Sequence, residues 1–262
     1  LSVLAVYLVG KKKYGFLLGG IALAFSMGIY QAYLPICILL CLYKVVLILL
    51  EEKAIKEKIK AILSYLYMGV IGVSLYYIIL QIMLWVQKKE LASYQGINEM
   101  TGFSFGTITQ LYKDFVEFVL TGKVLFNNGF SILAFGALGI LFVIALIKLC
   151  RQKKLYKSVW FYGVLLVLGG VIPVVSNVIL LISPNVSYHT LMRYQYVVFL
   201  MVMIAFVEKY LVLSVKKAGA ILSCVVLVLT FNYVVTDNIA YSNLEKKYEK
   251  TYAYCVRLAD RM

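Results

Sequence analysis

Acidic residues are scarce in this chain: 12 Asp and Glu stand against 26 Lys and Arg, and all charged residues together make up only 15% of it. A soluble domain carries about a quarter charged residues and roughly half apolar ones. At 63% hydrophobic residues and a mean hydropathy of +0.90, the chain lies well outside that range. The five cysteines form no CxxC pair and have no histidine nearby, which excludes a zinc site and a disulfide framework. Cys37 and Cys41 share one helix face and read as small apolar residues at a helix contact. No stretch alternates apolar and polar residues as a barrel strand would. Aromatics and base-reading side chains are not interleaved on any polar segment, so nucleic acid is not an expected partner despite a formal charge of +14. Leu1 stands inside an apolar run with no basic flank or cleavage site, so that run is not a signal peptide. Because the run starts abruptly and the last residues stop in a helical pattern, the expectation is a piece of a longer protein.

What remains is a series of apolar runs of a length suited to crossing ~30 Å of hydrocarbon as helices. Spans are expected at about 1–10 (the tail of a helix), 14–28, 34–50, 62–84, 131–149, 159–182, 194–213 and 218–236. The fold class is therefore an all-α polytopic membrane bundle of about seven full spans plus a partial first one. Sixteen of the 26 basic residues fall at one set of span ends, in segments 11–13, 53–60, 148–157 and 209–217 together with Lys44. Positive charge in short loops marks the cytoplasmic side. Lys44 lies close enough to that side to snorkel.

The opposite, outer side then holds the loop 85–130, the loop 183–193 and the tail 237–262. Within the first loop, Ile108, Leu111, Phe115, Phe118 and Val119 share a helical face over 107–121, with Thr109, Lys113, Asp114 and Glu117 elsewhere. Such a helix either lies in the membrane interface or packs on the outer ends of the spans. In the tail, Ser242 and Glu245 fit a capping box that would open a separate outer helix, the start of an extracytoplasmic domain over 237–262. Glycine pairs inside spans (Gly15/Gly19, Gly69/Gly72, Gly136/Gly139) read as close helix contacts.

Polar residues in hydrocarbon need a partner or a wet cavity. Tyr30 and Gln31 sit in the turn before Pro35, which suits the first turn of the next helix. That turn is expected at the outer membrane boundary. Arg193 stands where the loop 183–193 meets a span, placed either to anchor a headgroup or to grip a phosphate bidentately. The single histidine, His189, precedes it; with no paired nucleophile or carboxylate it reads as a loop residue more readily than as a base. Gln81, Ser176, Asn177 and Asn232 read as hydrogen bonds between helices.

The stretch Ala24 to Leu34, with its serine, small residue and Tyr30-Gln31, together with Arg193 and the helical pattern from Tyr248 to Arg261, resembles the bacterial glucosyl transferase family that decorates O-antigen and related envelope glycans. That likeness implies a GT-C-type bundle in the bacterial cytoplasmic (inner) membrane with an extracytoplasmic active face. It implies a polyprenyl-phosphate sugar as donor, glucose being expected, an envelope glycan as acceptor, and no metal or other cofactor. Arg193, Tyr30, Gln31 and His189 are the candidate substrate-binding residues. The resemblance places the acidic residue that acts as catalytic base in a first outer loop that would precede Leu1. None of Glu90, Glu99, Asp114, Glu117, Asp237, Glu245, Glu249 or Asp260 is therefore nominated as base. The rival readings are a flippase or transporter for lipid-linked sugars, which predicts internal symmetry that the chain lacks, and a non-catalytic subunit of envelope polysaccharide assembly.

Overall fold

An apolar chain can hydrogen-bond its backbone away from water only within helices or closed barrels, and here it does so as helices. The computed structural model describes residues 1–88, 105–118, 128–157, 159–182, 195–212 and 215–261. Among them are ten α-helices and no strand: α1 (Ser2–Lys11), α2 (Gly15–Ile29), α3 (Leu34–Leu50), α4 (Ile55–Gln87), α5 (Phe105–Val116), α6 (Gly129–Gln152), α7 (Val159–Ser176), α8 (Val178–Ile182), α9 (Gln195–Tyr210) and α10 (Lys216–Ala259). Four stretches, Gln31–Leu50, Ile55–Gln87, Gly129–Gln152 and Lys217–Ala259, are long and apolar enough to cross a membrane. Helices α1 and α2 are apolar but shorter, at 10 and 15 residues. The chain is thus a helical membrane protein, with fewer full-length spans among the described residues than the seven expected.

Two compact units form. The first comprises Leu1–Phe115 and Lys154–Ala205. Its core holds Ala5, Val6, Leu23, Met27, Cys37 and Met68, so Cys37 does serve as a small core residue. Close contacts set the helix directions. Gly15 and Gly19 of α2 lie against Leu8 and Ala5 of α1, which makes that pair antiparallel. Gly20 meets Ile71, and Gly72 meets Leu23, which makes α2 and α4 parallel. The connections 12–14 and 51–54 therefore share one lysine-rich end, and the turn after α2 points the other way.

The expected span 159–182 is divided. Pro173 lies inside α7, where it cannot donate a backbone hydrogen bond. At Asn177 the backbone tightens, its N–H reaching Val174 O at 3.1 Å, before α8 begins. The helix expected within 107–121 is present as α5, and it packs against α7 and α9. Tyr112 OH donates to Gly170 O at 2.5 Å, and the Phe115 ring lies 5.9 Å from Tyr196 and 5.4 Å from Phe199. Residues 119–121 of the expected helix lie outside the described residues.

The second unit comprises Val116–Lys153 and Phe206–Met262. Asn128 caps α6 reciprocally with Ser131, a capping box that the sequence reading missed. Ala218, Leu222, Val225, Leu229 and Asn232 form the buried stripe of α10, while residues 237–261 are exposed. Asn128, at the start of α6, donates to Asn232 Oδ1 at 2.6 Å, so α6 runs back along α10 toward its first turn. The expected separate tail helix is not formed. Instead α10 continues unbroken for 44 residues, about 66 Å. No glycine or proline follows Gly219, so nothing interrupts it, and Ser242 sits in the helix interior with no cap to make.

The glycines separate into two kinds. A methyl group on Gly15 would overlap the Leu8 carbonyl, and one on Gly19 would sit 2.7 Å from Ala5 O, whereas Gly69, Gly136 and Gly139 face nothing within 4 Å among the described residues. The pairing of Gly69 and of Gly136/Gly139 with neighbouring helices is thus corrected. Gly15→Ala and Gly19→Ala should each destabilise the protein by about 1–3 kcal/mol through overpacking. Gly136→Ala should be neutral or slightly stabilising, since alanine is the better helix former. Thermal unfolding of the three variants in detergent checks this ordering.

Candidate functional site

The turn after α2 is built by its serines. Ser2 of α1 donates to Tyr33 O at 3.1 Å, and the Ser2 and Ser26 hydroxyls lie 2.8 Å apart. Because Ser2 spends its one proton on the carbonyl, Ser26 supplies the proton between the two hydroxyls. This clamp holds the 3-10 turn Gln31–Tyr33 and leads into α3, with Pro35 in its first turn as expected. Tyr30 and Gln31 are half-buried. The rings of Tyr30 and Tyr33 meet edge to face at 5.5 Å, and Gln31 Nε2 donates to Tyr76 OH at 2.5 Å.

Tyr76 also fixes the depth of this turn. Helix α4 is 33 residues long and continues for eleven residues, about 16 Å, past Tyr76. The turn therefore lies alongside the apolar body of α4 and not level with its end. A Gln–Tyr hydrogen bond at that depth satisfies groups that lipid could not.

A second polar cluster lies in the same unit. Asn177, Gln195 and Tyr196 are fully buried, at 0% exposure. Asn177 Nδ2 donates to Tyr196 OH, and Gln195 Nε2 approaches Asn177 Oδ1 at 3.4 Å. The break between α7 and α8 is thereby tied to the first residues of α9. Arg193 and His189 lie outside the described residues, Arg193 two positions before Gln195. Asn177 and Asn232 do bond across helices, as read from the sequence. Gln81 does not: it is exposed and has no hydrogen-bond partner among the described residues.

Asp114 is what the sequence reading missed. It is 6% exposed, the lowest of any charged residue among the described residues. Gln110 Nε2 donates to its Oδ1 at 3.1 Å. The expected apolar face of this helix does not include Asp114. In fact Leu111, Asp114 and Phe118 recur at i, i+3 and i+7, the spacing of one helix face, and Leu111 and Phe118 are buried at 0% and 1%.

Two clusters of polar side chains buried in an apolar bundle, one carrying a serine-rich Tyr-Gln turn, accord with the pattern noted in the sequence. The glucosyl transferase GtrII family model matches residues 1–200. The chain belongs to that family. The match takes in α1 to α8 and the start of α9, and with them Tyr30, Gln31, Asp114, Asn177 and Arg193. No curated protein and no solved structure matches the chain. Membership makes this GtrII-family protein a glycosyltransferase at the family level.

The Asn177 cluster carries a stability prediction. Asn177→Ala strands buried partners on α9 and should cost about 1–3 kcal/mol. Gln81→Ala, at an exposed position, should stay within about 0.5 kcal/mol of wild type. Detergent unfolding curves of the two variants measured side by side test the difference.

Proposed function

We propose that this protein transfers a sugar, glucose, from a polyprenyl-phosphate donor to an envelope glycan on the extracytoplasmic face of a bacterial cytoplasmic membrane. The family match over residues 1–200 carries this reading. In the reaction, the acceptor hydroxyl gives up its proton and its oxygen bonds to the anomeric carbon. The bond from that carbon to the phosphate oxygen breaks, and polyprenyl phosphate leaves. A cation is needed where the departing phosphate gathers charge, and a base where the hydroxyl loses its proton.

Arg193 is the cation in this reading, because its planar fork matches two phosphate oxygens. The anchoring of Gln195 and Tyr196 to Asn177 supports it, since that anchor secures the helix that Arg193 precedes. Tyr30 and Gln31 line the substrate cavity, and His189 contributes from the same loop as Arg193. Asp114 is the candidate base: it is a carboxylate withdrawn from solvent, on a helix packed against α7 and α9.

The test is transfer of labelled glucose from its polyprenyl-phosphate carrier by the full-length protein in proteoliposomes. Arg193→Ala should lower the rate by roughly 10²–10³-fold, the loss typical of removing one donor to a developing anion, and Arg193→Lys should recover part of it. A wild-type rate in Arg193→Ala would overturn the assignment. Asp114→Asn keeps the shape and removes the base. If that variant is folded and inactive, Asp114 is the base; if it is folded and active, Asp114 is a structural acceptor for Gln110.

A further inference from the structure

A cleft of about 440 Å³ opens at the lysine-rich end of the first unit, away from the turn after α2. Its walls are Phe16 of α2 and Lys56, Lys60, Leu63, Ser64 and Tyr67 of α4. The volume falls within the ~300–1,000 Å³ of small-molecule sites. On α4 these positions recur at three- and four-residue spacing, so they form one stripe along the helix.

Polarity is graded along that stripe. The two ammonium groups come first, the Ser64 hydroxyl follows, and the Tyr67 ring closes the far end, 6.4 Å from the Phe16 ring. From Lys56 to Tyr67 the helix climbs about 16 Å. That distance runs from the headgroup layer into the first part of the acyl layer, because the apolar run of α4 begins at Ala61.

Two cations near the start of α4 are already engaged. Lys53 pairs with Glu51 at 2.8 Å, and the carboxylate beside it holds its ammonium above the ordinary lysine range. Lys58 donates to Leu49 O at 2.9 Å. Ser64 donates to Lys60 O at 3.0 Å, which leaves its oxygen free to accept. The ammonium groups of Lys56 and Lys60, in contrast, have no ion pair or hydrogen-bond partner among the described residues.

We propose that this cleft binds an anionic phospholipid of the leaflet at the lysine-rich end. The phosphate lies between Lys56 and Lys60, and an acyl chain runs along Leu63, Tyr67 and Phe16. A soluble phosphate compound would use the two lysines but leave the apolar length of the cleft empty. Basic pockets at the cytoplasmic ends of membrane helices are suited to acidic headgroups, and each lysine near the surface contributes enough for roughly a fivefold change in affinity.

Native mass spectrometry of the full chain, released from zwitterionic detergent and titrated with phosphatidylglycerol or phosphatidylcholine, tests the proposal. The wild type should retain phosphatidylglycerol in preference. Lys56→Ala/Lys60→Ala should weaken that retention by roughly 10- to 30-fold, and Tyr67→Ser should weaken it with no change in charge. Lys246→Ala/Lys247→Ala, which removes the same charge from the exposed part of α10, should leave it intact. The proposal is overturned if both double variants lose the lipid equally, if the wild type shows no preference, or if millimolar inorganic phosphate displaces the lipid.

Discussion

Polar groups that this chain carries into apolar surroundings are costly unless the chain itself supplies a partner. Lipid offers no hydrogen bonds, so the backbone closes its own in helices, and the few polar side chains inside them must find each other. The pairs Ser2–Ser26, Gln31–Tyr76, Asn177–Tyr196 and Asn128–Asn232 meet that requirement. Each one joins two different helices or the turns at their ends. The hydrogen bonds that relieve burial also set which helices adjoin and at what depth.

The same requirement explains the role of the smallest residues. Among helices already surrounded by apolar material, burying more apolar surface provides little drive for association, and close packing matters more. Gly15, Gly19, Gly20 and Gly72 let α1, α2 and α4 approach until side chains of one touch the backbone or side chains of the next. The tight group they form positions the Tyr30-Gln31 turn beside α4.

The two ends of the first unit thus have different characters. One carries uncharged hydroxyl and amide groups clamped by serine and tyrosine. The other carries lysines, two of them beside an apolar cleft. A protein that handles lipid-linked substrates at one end and holds an acidic lipid at the other would have its position in the bilayer fixed by the lipid it lives in. Headgroup contacts at the lysine-rich end would then hold the reacting end at a constant depth.

The helical membrane class, the run of apolar segments, the place of Tyr30 and Gln31 in a turn before Pro35, and the family were all legible in the sequence, because apolar length and short-range spacing are local properties of the chain. The uninterrupted α10 is legible there too, since the lack of glycine and proline after Gly219 outweighs the local capping signal at Ser242. Tertiary structure alone decided the rest. Gly19 and Gly136 look alike in sequence, yet only Gly19 faces another backbone. Asp114 lies off the expected apolar face of α5, yet packing encloses it, and only the fold brings Gln31 to Tyr76. The physical reason is the same in each case: periodicity says which residues share a face, but which face is covered, and at what level, depends on neighbours that the chain brings from far away.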